Sequence, residues 1–317
     1  MRSREYGYRP KRELRFSLST RLLVFPSRLL PFSPSLSGSL RLSGLLLLLF
    51  SISPAQRVAI ITPEKSPQTN GYSLGLAEKL GEKIRVLDPG MSESGYRSTG
   101  IETPFNLSAS ESKRLASVLG CDLLLIIRTG IQRRMSFSKD DYFEAFAVSY
   151  LVSGRTGRLV DWRLNSFEAE SADKAEGLLA KSIEARADKV IRAAASAINE
   201  ELTQKPVSVL EEVPAEGSPG TKNFRPPVPY KRIKPDYTKI AYLYDARATV
   251  EIEVDIDADG TILRTDIVRW AGYGLDESVT DVVRKMNWRP AERNGKPLPM
   301  RVLLRYNFTK VEKTDPD

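Results

Sequence analysis

The clearest hydrophobic pattern in this 317-residue chain lies near its C-terminal end. Apolar and polar residues alternate over residues 250–256, and a period of two predicts a β-strand with one buried face. The turn sequence DADG and a returning strand predicted at Ile262–Val268 extend this strand into a hairpin. An apolar stripe with helical spacing follows Gly274, and Pro299–Phe308 predicts a last strand. The pattern therefore predicts a small α+β domain of β-β-α-β order.

Upstream, the region from Gln56 to Thr203 mixes apolar runs with amphipathic stretches, which predicts an α/β domain. Strands are predicted at residues 57–64, 84–88, 122–130, 142–151 and 159–167, and helices at 72–83, 108–120 and 172–202. Ser108 and Glu111 have the spacing of a capping box at the start of the second helix. The polar, Gly- and Ser-rich stretch Pro89–Gly100 predicts a loop.

Between the two domains the composition changes. Seven prolines fall between Gln204 and Pro235, and proline disfavours helix. Residues 204–234 are therefore predicted to be a semi-rigid linker, which at about 3.1 Å per residue reaches roughly 100 Å. A plain interdomain tether fits the same composition. The predicted organisation is a leader (1–55), an α/β domain (56–203), the linker (204–234) and a C-terminal domain (235–310).

The charge of the chain is concentrated in its first 55 residues. They carry nine Arg and Lys residues against two Glu, or +7 of the net +8. A basic stretch, the short apolar run Gly44–Ile52 and the small residues Ser53 and Ala55 predict an export signal cleaved before Gln56. An uncleaved membrane anchor is the alternative, although a spanning helix needs roughly 20 apolar residues. Because the excess charge belongs to the leader, it does not indicate a nucleic-acid partner.

Candidate catalytic chemistry is sparse. The chain has no histidine, and its single cysteine, Cys121, lies in an apolar run that predicts a buried side chain. Asp255, Asp257, Asp259 and Asp266 imitate a calcium loop, but their flanks alternate like strands, so a hairpin turn is the better interpretation. The adjacent pairs Asp140-Asp141 and Glu211-Glu212 are interpreted as solvated charges. The sequence thus predicts a protein that is not an enzyme and has no cofactor or metal.

The segment from Pro235 to Phe308 resembles the C-terminal domain of the TonB family, the energy transducers of Gram-negative outer-membrane transport. The resemblance depends on the acidic DG hairpin, the GLDESV helix entry, WRPAERNGKPL and the closing aromatic strand. It implies that an extended peptide from the plug domain of a TonB-dependent outer-membrane receptor adds to the edge strand. The implied peptide-binding residues are Pro235, Tyr237, Arg301, Val302, Leu303, Leu304, Arg305, Tyr306, Asn307 and Phe308. The motif Pro-x-Tyr-Pro is incomplete, because Thr238 stands at its last position.

The same resemblance bears on partners. In the family, a membrane anchor with a Ser and a His engages inner-membrane proton-motor proteins, but here Leu47 stands four residues after Ser43 and histidine is missing. Direct coupling is therefore disfavoured, and a homodimer through the edge strand is a further possibility. The N-terminal phrase RLASVLGCDLLLIIRTG is similar to envelope α/β domains of the curli-secretion and TolB N-terminal type. Two interpretations stay open: a periplasmic TonB-like protein that binds receptors, and a non-enzymatic envelope assembly adaptor.

Overall fold

The computed structural model describes residues 3–7, 56–136, 139–203 and 210–310. The N-terminal domain is built on a six-stranded sheet of order β1-β6-β5-β4-β2-β3. Its strands are β1 (Ser3–Gly7), β2 (Arg57–Ile61), β3 (Arg85–Val86), β4 (Leu123–Ser136), β5 (Lys139–Ser153) and β6 (Leu159–Ala169). β2 pairs in parallel with β3 and β4, and the other pairs are antiparallel. The sheet is thus mixed, as the α/β prediction requires.

The first strand lies within the segment that the sequence predicts to be a leader. β1 pairs antiparallel with β6, from Ser3 opposite Phe167 to Gly7 opposite Arg163. A protein cleaved before Gln56 would lack this strand, and β6 would then form that edge of the sheet. The apolar run Gly44–Ile52 lies outside the described residues, so the export signal stays a prediction.

The described part of the N-terminal domain has five helices: α1 (Pro67–Gly81), α2 (Pro89–Ser98), α3 (Ala109–Leu119), α4 (Ala172–Lys181) and α5 (Ile183–Thr203). Buried apolar residues of α1, α4 and α5, among them Leu76, Leu179 and Val190, form a core with one face of the sheet. The opposite face packs against α3 and against the C-terminal domain. Both faces of the sheet are therefore covered, and this explains why β4 is almost continuously apolar at its start.

Two helices differ from the sequence-based expectation. α2 occupies the stretch predicted to be a loop, because Asp88 accepts a hydrogen bond from the Met91 N–H at 2.9 Å and Pro89 begins the first turn. A Cβ on Gly95 would lie 2.4 Å from Leu119, so this glycine permits α2 to pack closely on α3. The single helix predicted over 172–202 is divided into α4 and α5 at Ser182, whose hydroxyl donates to the Leu179 carbonyl at 2.6 Å.

The predicted capping box is present at the start of α3. The Glu111 N–H donates to the Ser108 hydroxyl, while the Glu111 carboxylate accepts the Ser108 N–H at 2.8 Å. Gly120 ends this helix in the left-handed conformation with φ +62°. Local sequence signals thus determine both ends of α3.

The C-terminal domain is centred on a three-stranded antiparallel sheet of order β10-β9-β14. In chain order the described elements from residue 210 onward are a short 3-10 helix (Pro219–Thr221), β7 (Phe224–Arg225), β8 (Val228–Pro229), α6 (Lys239–Leu243), β9 (Ala248–Ile256), β10 (Ile262–Arg269), α7 (Leu275–Val283), β11 (Trp288–Arg289), β12 (Ala291–Arg293), β13 (Lys296–Leu298) and β14 (Met300–Phe308). Helix α7 packs against the sheet through Leu275, Val279 and Val283. The predicted β-β-α-β order corresponds to β9, β10, α7 and β14.

Two turns of this domain depend on glycine. Gly260, in the β9–β10 turn, has φ +88°, and a Cβ there would lie 2.2 Å from the Trp288 carbonyl oxygen. Asn294 and Gly295 have φ +53° and +77°, as a two-residue hairpin between β12 and β13 requires.

The predicted linker is partly folded onto the C-terminal domain. β7 pairs antiparallel with β12, and β8 pairs antiparallel with β11. Two-residue strands at the margin of a domain tolerate the neighbouring prolines, because a missing N–H disrupts little there. The described part, residues 210–234, therefore lies along the C-terminal domain instead of extending away from it.

The two domains share one hydrophobic core. Trp270 contacts Tyr150 with ring centroids 5.1 Å apart, and Tyr273 contacts Trp162 at 5.0 Å. A Cβ on Gly272 would lie 2.4 Å from Trp162, so the backbones approach closely. A tightly packed apolar interface of this kind leaves little freedom for relative domain motion.

Polar contacts complete the interface between the domains. The side-chain amide of Asn106 donates to the Thr249 carbonyl at 2.8 Å, and its oxygen accepts the Thr249 N–H at 2.9 Å. The Tyr244 hydroxyl donates to the Glu144 carboxylate at 2.6 Å. Burial alone would raise the pKa of Glu144, but hydrogen bonds from Tyr244 and Arg134 outweigh it and lower that pKa. The interface therefore contains paired polar groups as well as aromatic rings.

Candidate functional site

Strand β14 forms one edge of the C-terminal sheet and pairs with β9 along its whole length. In an antiparallel pair, successive residues direct their N–H and C=O groups alternately towards and away from the partner strand. The Arg301 N–H points away from β9, because it donates to the Glu211 carbonyl at 2.8 Å. The backbone groups of Leu303, Arg305 and Asn307 therefore also point outward. Within the described residues no strand pairs with them.

The side chains of β14 divide between the two faces of the sheet. Val302, Leu304 and Tyr306 are partly buried against the apolar core. Leu303 lies on the opposite face with 52% of its surface exposed. An extended peptide that paired with this edge would thus meet an apolar side and a polar side.

Charged residues hold the polar face of β14 and β9 together. The Arg301 guanidinium donates to both carboxylate oxygens of Asp255, at 2.7 and 2.9 Å, and Asp255 is only 4% exposed. This hydrogen bonding raises the pKa of Arg301 above its usual range. Glu251 is shared between Arg305 at 2.6 Å and Arg269 at 3.2 Å. The edge strand is therefore fixed to its neighbour by side chains as well as by backbone hydrogen bonds.

Tyr237 lies against Phe308 at the far end of the strand. The rings of Tyr237 and Phe308 stack with centroids 6.4 Å apart, and Pro235 is buried. The Tyr237 hydroxyl lies 2.9 Å from the Ala246 carbonyl oxygen and 3.1 Å from that of Ala241. The structure brings Tyr237 next to β14, where it supports the end of the strand. Peptide binding by these three residues stays a prediction.

A short acidic segment touches the beginning of the same edge. Glu212 forms an isolated parallel bridge with Arg301, next to the hydrogen bond between the Arg301 N–H and the Glu211 carbonyl. The Glu211 carboxylate receives two hydrogen bonds from Arg293, at 3.0 and 2.5 Å, which lower the pKa of Glu211. Glu211 and Glu212 are both exposed, in agreement with their interpretation as solvated charges, and they also lie against the start of the edge strand.

Arg293 and Glu211 were not among the predicted site residues. They are 82 positions apart in sequence, and no spacing or motif connects them. Arg293 ends β12 beside the β12–β13 turn, and from there its guanidinium reaches the Glu211 carboxylate. The apolar and acidic run LEEV was the available signal, and it is too short to predict a strand by itself.

The calcium-like carboxylates have other partners. Asp255 is bound by Arg301, and Asp266 is bound by Arg158 and by Arg264. Asp257 and Asp259 each accept a backbone N–H within the β9–β10 turn, at 2.8 Å. Across the described ranges no group of three or more acidic, Cys or His residues is placed to hold a metal ion. These aspartates stabilise a hairpin.

Two other predictions concern the N-terminal half of the chain. Cys121 is buried, and burial raises the pKa of its thiol to about 12, so it is not poised as a nucleophile. Ser43 and Leu47 lie outside the described residues. In the part of the chain that the structure describes, no helix is both long and apolar enough to cross a membrane.

The family of the C-terminal domain is established by comparison. Residues 233–309 match the family model described as Gram-negative bacterial TonB protein C-terminal. The C-terminal domain is therefore a TonB-type domain, and the sequence-based resemblance is confirmed. Domains of this family are non-enzymatic protein-interaction domains of the Gram-negative envelope. The β14 edge belongs to such a domain.

No curated protein matches the chain. Among solved structures, the lipoprotein GNA1162 from Neisseria meningitidis is similar, with 21% identity, a TM-score of 0.30, and coverage of 44% of this chain and 99% of that one. The PelC dodecamer from Paraburkholderia phytofirmans has 11% identity and a TM-score of 0.27, over 44% of this chain and 86% of that one. The hypothetical protein CT253 from Chlamydia trachomatis has 9% identity and a TM-score of 0.28, over 47% and 98%. These similarities carry no argument about function.

Proposed function

We propose that the chain is a periplasmic TonB-like protein whose C-terminal domain binds TonB-dependent outer-membrane transporters. The transporter supplies an extended plug-box peptide, which adds to β14 as a further strand and supports energy-dependent transport. The observation that carries the proposal is the row of outward-facing backbone groups at Leu303, Arg305 and Asn307. Unpaired N–H and C=O groups of an edge strand are the groups that strand addition uses.

The rigidity of β14 supports the same proposal. Arg301 and Arg305 bind carboxylates of β9, so the strand is ordered before a peptide arrives. A preformed edge avoids part of the entropy cost of binding. The exposed Leu303 side chain adds an apolar contact beside the backbone hydrogen bonds.

The direct test is an NMR titration of the isotope-labelled, full-length protein with synthetic plug-box peptides from the host's outer-membrane transporters. We expect amide shifts concentrated on Arg301–Phe308 and near Tyr237. A folded protein whose β14 amides shift with none of the peptides would contradict receptor binding at this edge.

Leu303→Pro separates strand addition from side-chain binding. The Leu303 N–H points outward, so proline removes a donor for the peptide and leaves the hydrogen bonds to β9 in place. We expect peptide affinity to fall at least about tenfold, on the order of one to two backbone hydrogen bonds. Leu303→Ala is the matched control, because it shortens the side chain and keeps the donor. Unchanged affinity in Leu303→Pro, with a native circular dichroism spectrum, would show that the peptide does not pair at this position.

A second candidate function, the envelope assembly adaptor, is favoured by the interface between the domains. Two tilted ring contacts, Trp270 with Tyr150 and Tyr273 with Trp162, join the two domains, and residues 210–234 lie along the C-terminal domain. A long extending linker suits a transducer, whereas one rigid body suits a scaffold.

Complementation in cells distinguishes the two candidates. In a deletion strain, the receptor-binding protein restores transporter-dependent uptake, and Leu303→Pro does not. If the protein is an adaptor, the wild type and Leu303→Pro support uptake equally. The involvement of inner-membrane motor proteins and pairing of two copies through β14 are tested separately, by co-purification from membranes and by sedimentation velocity.

A further inference from the structure

The acidic segment, defined here as residues 210–213, occupies the position where an added strand would begin. It runs parallel to β14, and its Glu211 carbonyl accepts the Arg301 N–H, the first outward-facing donor of the strand. Arg293 holds the Glu211 carboxylate through two hydrogen bonds. The acidic segment thus already forms, at Arg301, one of the residue pairs that a partner peptide would form with β14.

The pairing stops after one residue pair. Glu212 opposite Arg301 is an isolated bridge, and within the described residues the acidic segment forms no further pair with β14. Among the described residues, no strand pairs with the outward-facing groups of Leu303, Arg305 and Asn307. The acidic segment therefore covers the beginning of the edge and leaves the rest exposed.

The contact is weak enough to be displaced. The Arg293 and Glu211 side chains are 34% and 50% exposed, and ion pairs of this exposure contribute little because water screens them. One backbone hydrogen bond adds a similarly small amount. A peptide that pairs with four outward positions makes more bonds than the acidic segment does.

We propose that the acidic segment is an intramolecular occupant of the strand-binding edge, and that a partner peptide displaces it to pair with the whole of β14. This inference rests on the proposed function, because it assigns a regulator to the same edge. Arg293 is the positioning residue that keeps the occupant in place. Conditions that weaken the Arg293–Glu211 pair then increase the availability of the edge.

The test compares full-length wild type with Glu211→Ala, and uses Glu216→Ala as the matched control. Glu216 is an exposed acidic residue of the same stretch and lies outside the contact with β14. Two quantities are measured: hydrogen–deuterium exchange of the Arg301 amide, and the affinity for the plug-box peptides. A variant in which Gly and Ser replace residues 210–213 is a second way to release the β14 edge at Arg301 from the acidic segment.

We expect Glu211→Ala to accelerate exchange at Arg301 and to raise peptide affinity on the order of three- to fivefold, as the loss of one exposed ion pair allows. Glu216→Ala changes neither quantity. The ratio of the two affinities falls towards one as salt is added, because salt screens the Arg293–Glu211 pair in the wild type.

The contrary outcomes are distinct. Peptides that bind wild type, Glu211→Ala and the Gly-Ser variant equally would overturn the intramolecular occupant and leave the proposed function intact. If exchange at Arg301 becomes faster but the wild type, Glu211→Ala and the Gly-Ser variant all bind no peptide, the proposed function itself would be contradicted. Displacement of the acidic segment by a partner would be contradicted as well.

Discussion

The two edges of the C-terminal sheet are covered in different ways. At β10, the Trp270 N–H donates to the Leu107 carbonyl at 3.3 Å, and Ser108 bridges to Arg269, so the N-terminal domain lies against this edge. Register shifts interrupt the pairing of β10 with β9. At β14 the pairing is regular, and within the described residues the acidic segment pairs with the first outward-facing residue, Arg301, and with no other.

This difference shows how one small sheet can keep one edge closed and one edge accessible. An uncovered regular strand is a site for unwanted pairing, and proteins limit such edges by covering or irregular pairing. The β10 edge has both protections. The β14 edge has a short acidic cover and basic residues of its own, and this combination is consistent with an edge kept for regulated pairing.

The largest expected effect concerns the covered edge. Trp270→Ala removes a side chain that is 1% exposed and contacts Tyr150, so it leaves a cavity between the domains. We expect a loss of about 3–5 kcal/mol in the free energy of unfolding, measured by chemical denaturation. Tyr230→Ala is the control, because Tyr230 is largely exposed. If both variants lost equally little unfolding free energy, the domains would not be joined through Trp270.

The next effect is a pH dependence of Asp276, a residue of α7 that is bonded to the loop after β10. Burial raises the pKa of Asp276 to about 7, although its carboxylate accepts the Ala271 and Gly272 N–H groups at 2.9 and 2.8 Å. An unfolded Asp titrates near 3.9, so the folded state binds the extra proton between about pH 4 and 7. The contribution of Asp276 to the free energy of unfolding is therefore largest below about pH 4 and falls by up to about 4 kcal/mol as pH rises to 7.

Asp276→Asn tests this directly, because the amide does not titrate. We expect the variant to lose the decline in unfolding free energy between pH 4 and 7, while Glu216→Gln keeps it. The measurement is the free energy of unfolding by urea at several pH values. An identical slope in wild type and Asp276→Asn would mean that Asp276 is already ionised in the folded protein at pH 4.

Local signals made much of the fold predictable. Alternation predicted β9, the Ser108–Glu111 spacing predicted α3, and the DG turn predicted the hairpin at Gly260. Each of these features is determined by residues close together in sequence. The same reasoning missed α2, because glycine and serine predict loops, and Gly95 is in a helix for reasons of packing against Leu119.

The interface and the occupied edge could not be predicted for a different reason. The contact between Trp270 and Tyr150 and the pair formed by Arg293 and Glu211 join residues far apart in sequence. Such contacts depend on the shapes of folded surfaces, which no local pattern encodes. The sequence pattern predicted the β14 strand, and the resemblance to a known family implied that it is a binding edge, but only the structure shows what already lies beside it.

The smallest expected effect concerns the open edge. Arg305→Ala removes a side chain that is 63% exposed, and its partner Glu251 keeps Arg269 at 3.2 Å. We expect less than about 0.5 kcal/mol of lost stability, as for other exposed ion pairs. Peptide affinity should change less than about twofold, because strand addition uses the backbone of β14 and not this guanidinium.

Arg301→Ala is the matched comparison on the same strand. It leaves the buried Asp255 carboxylate without its two hydrogen bonds, so it should cost several-fold more stability than Arg305→Ala, about 3 kcal/mol. Both losses are measured by urea denaturation, and peptide affinity by titration. A large stability loss in Arg305→Ala would show that side chains hold β14 in place at Arg305 as firmly as at Arg301. The edge would then be less accessible to a partner than its exposed backbone groups indicate.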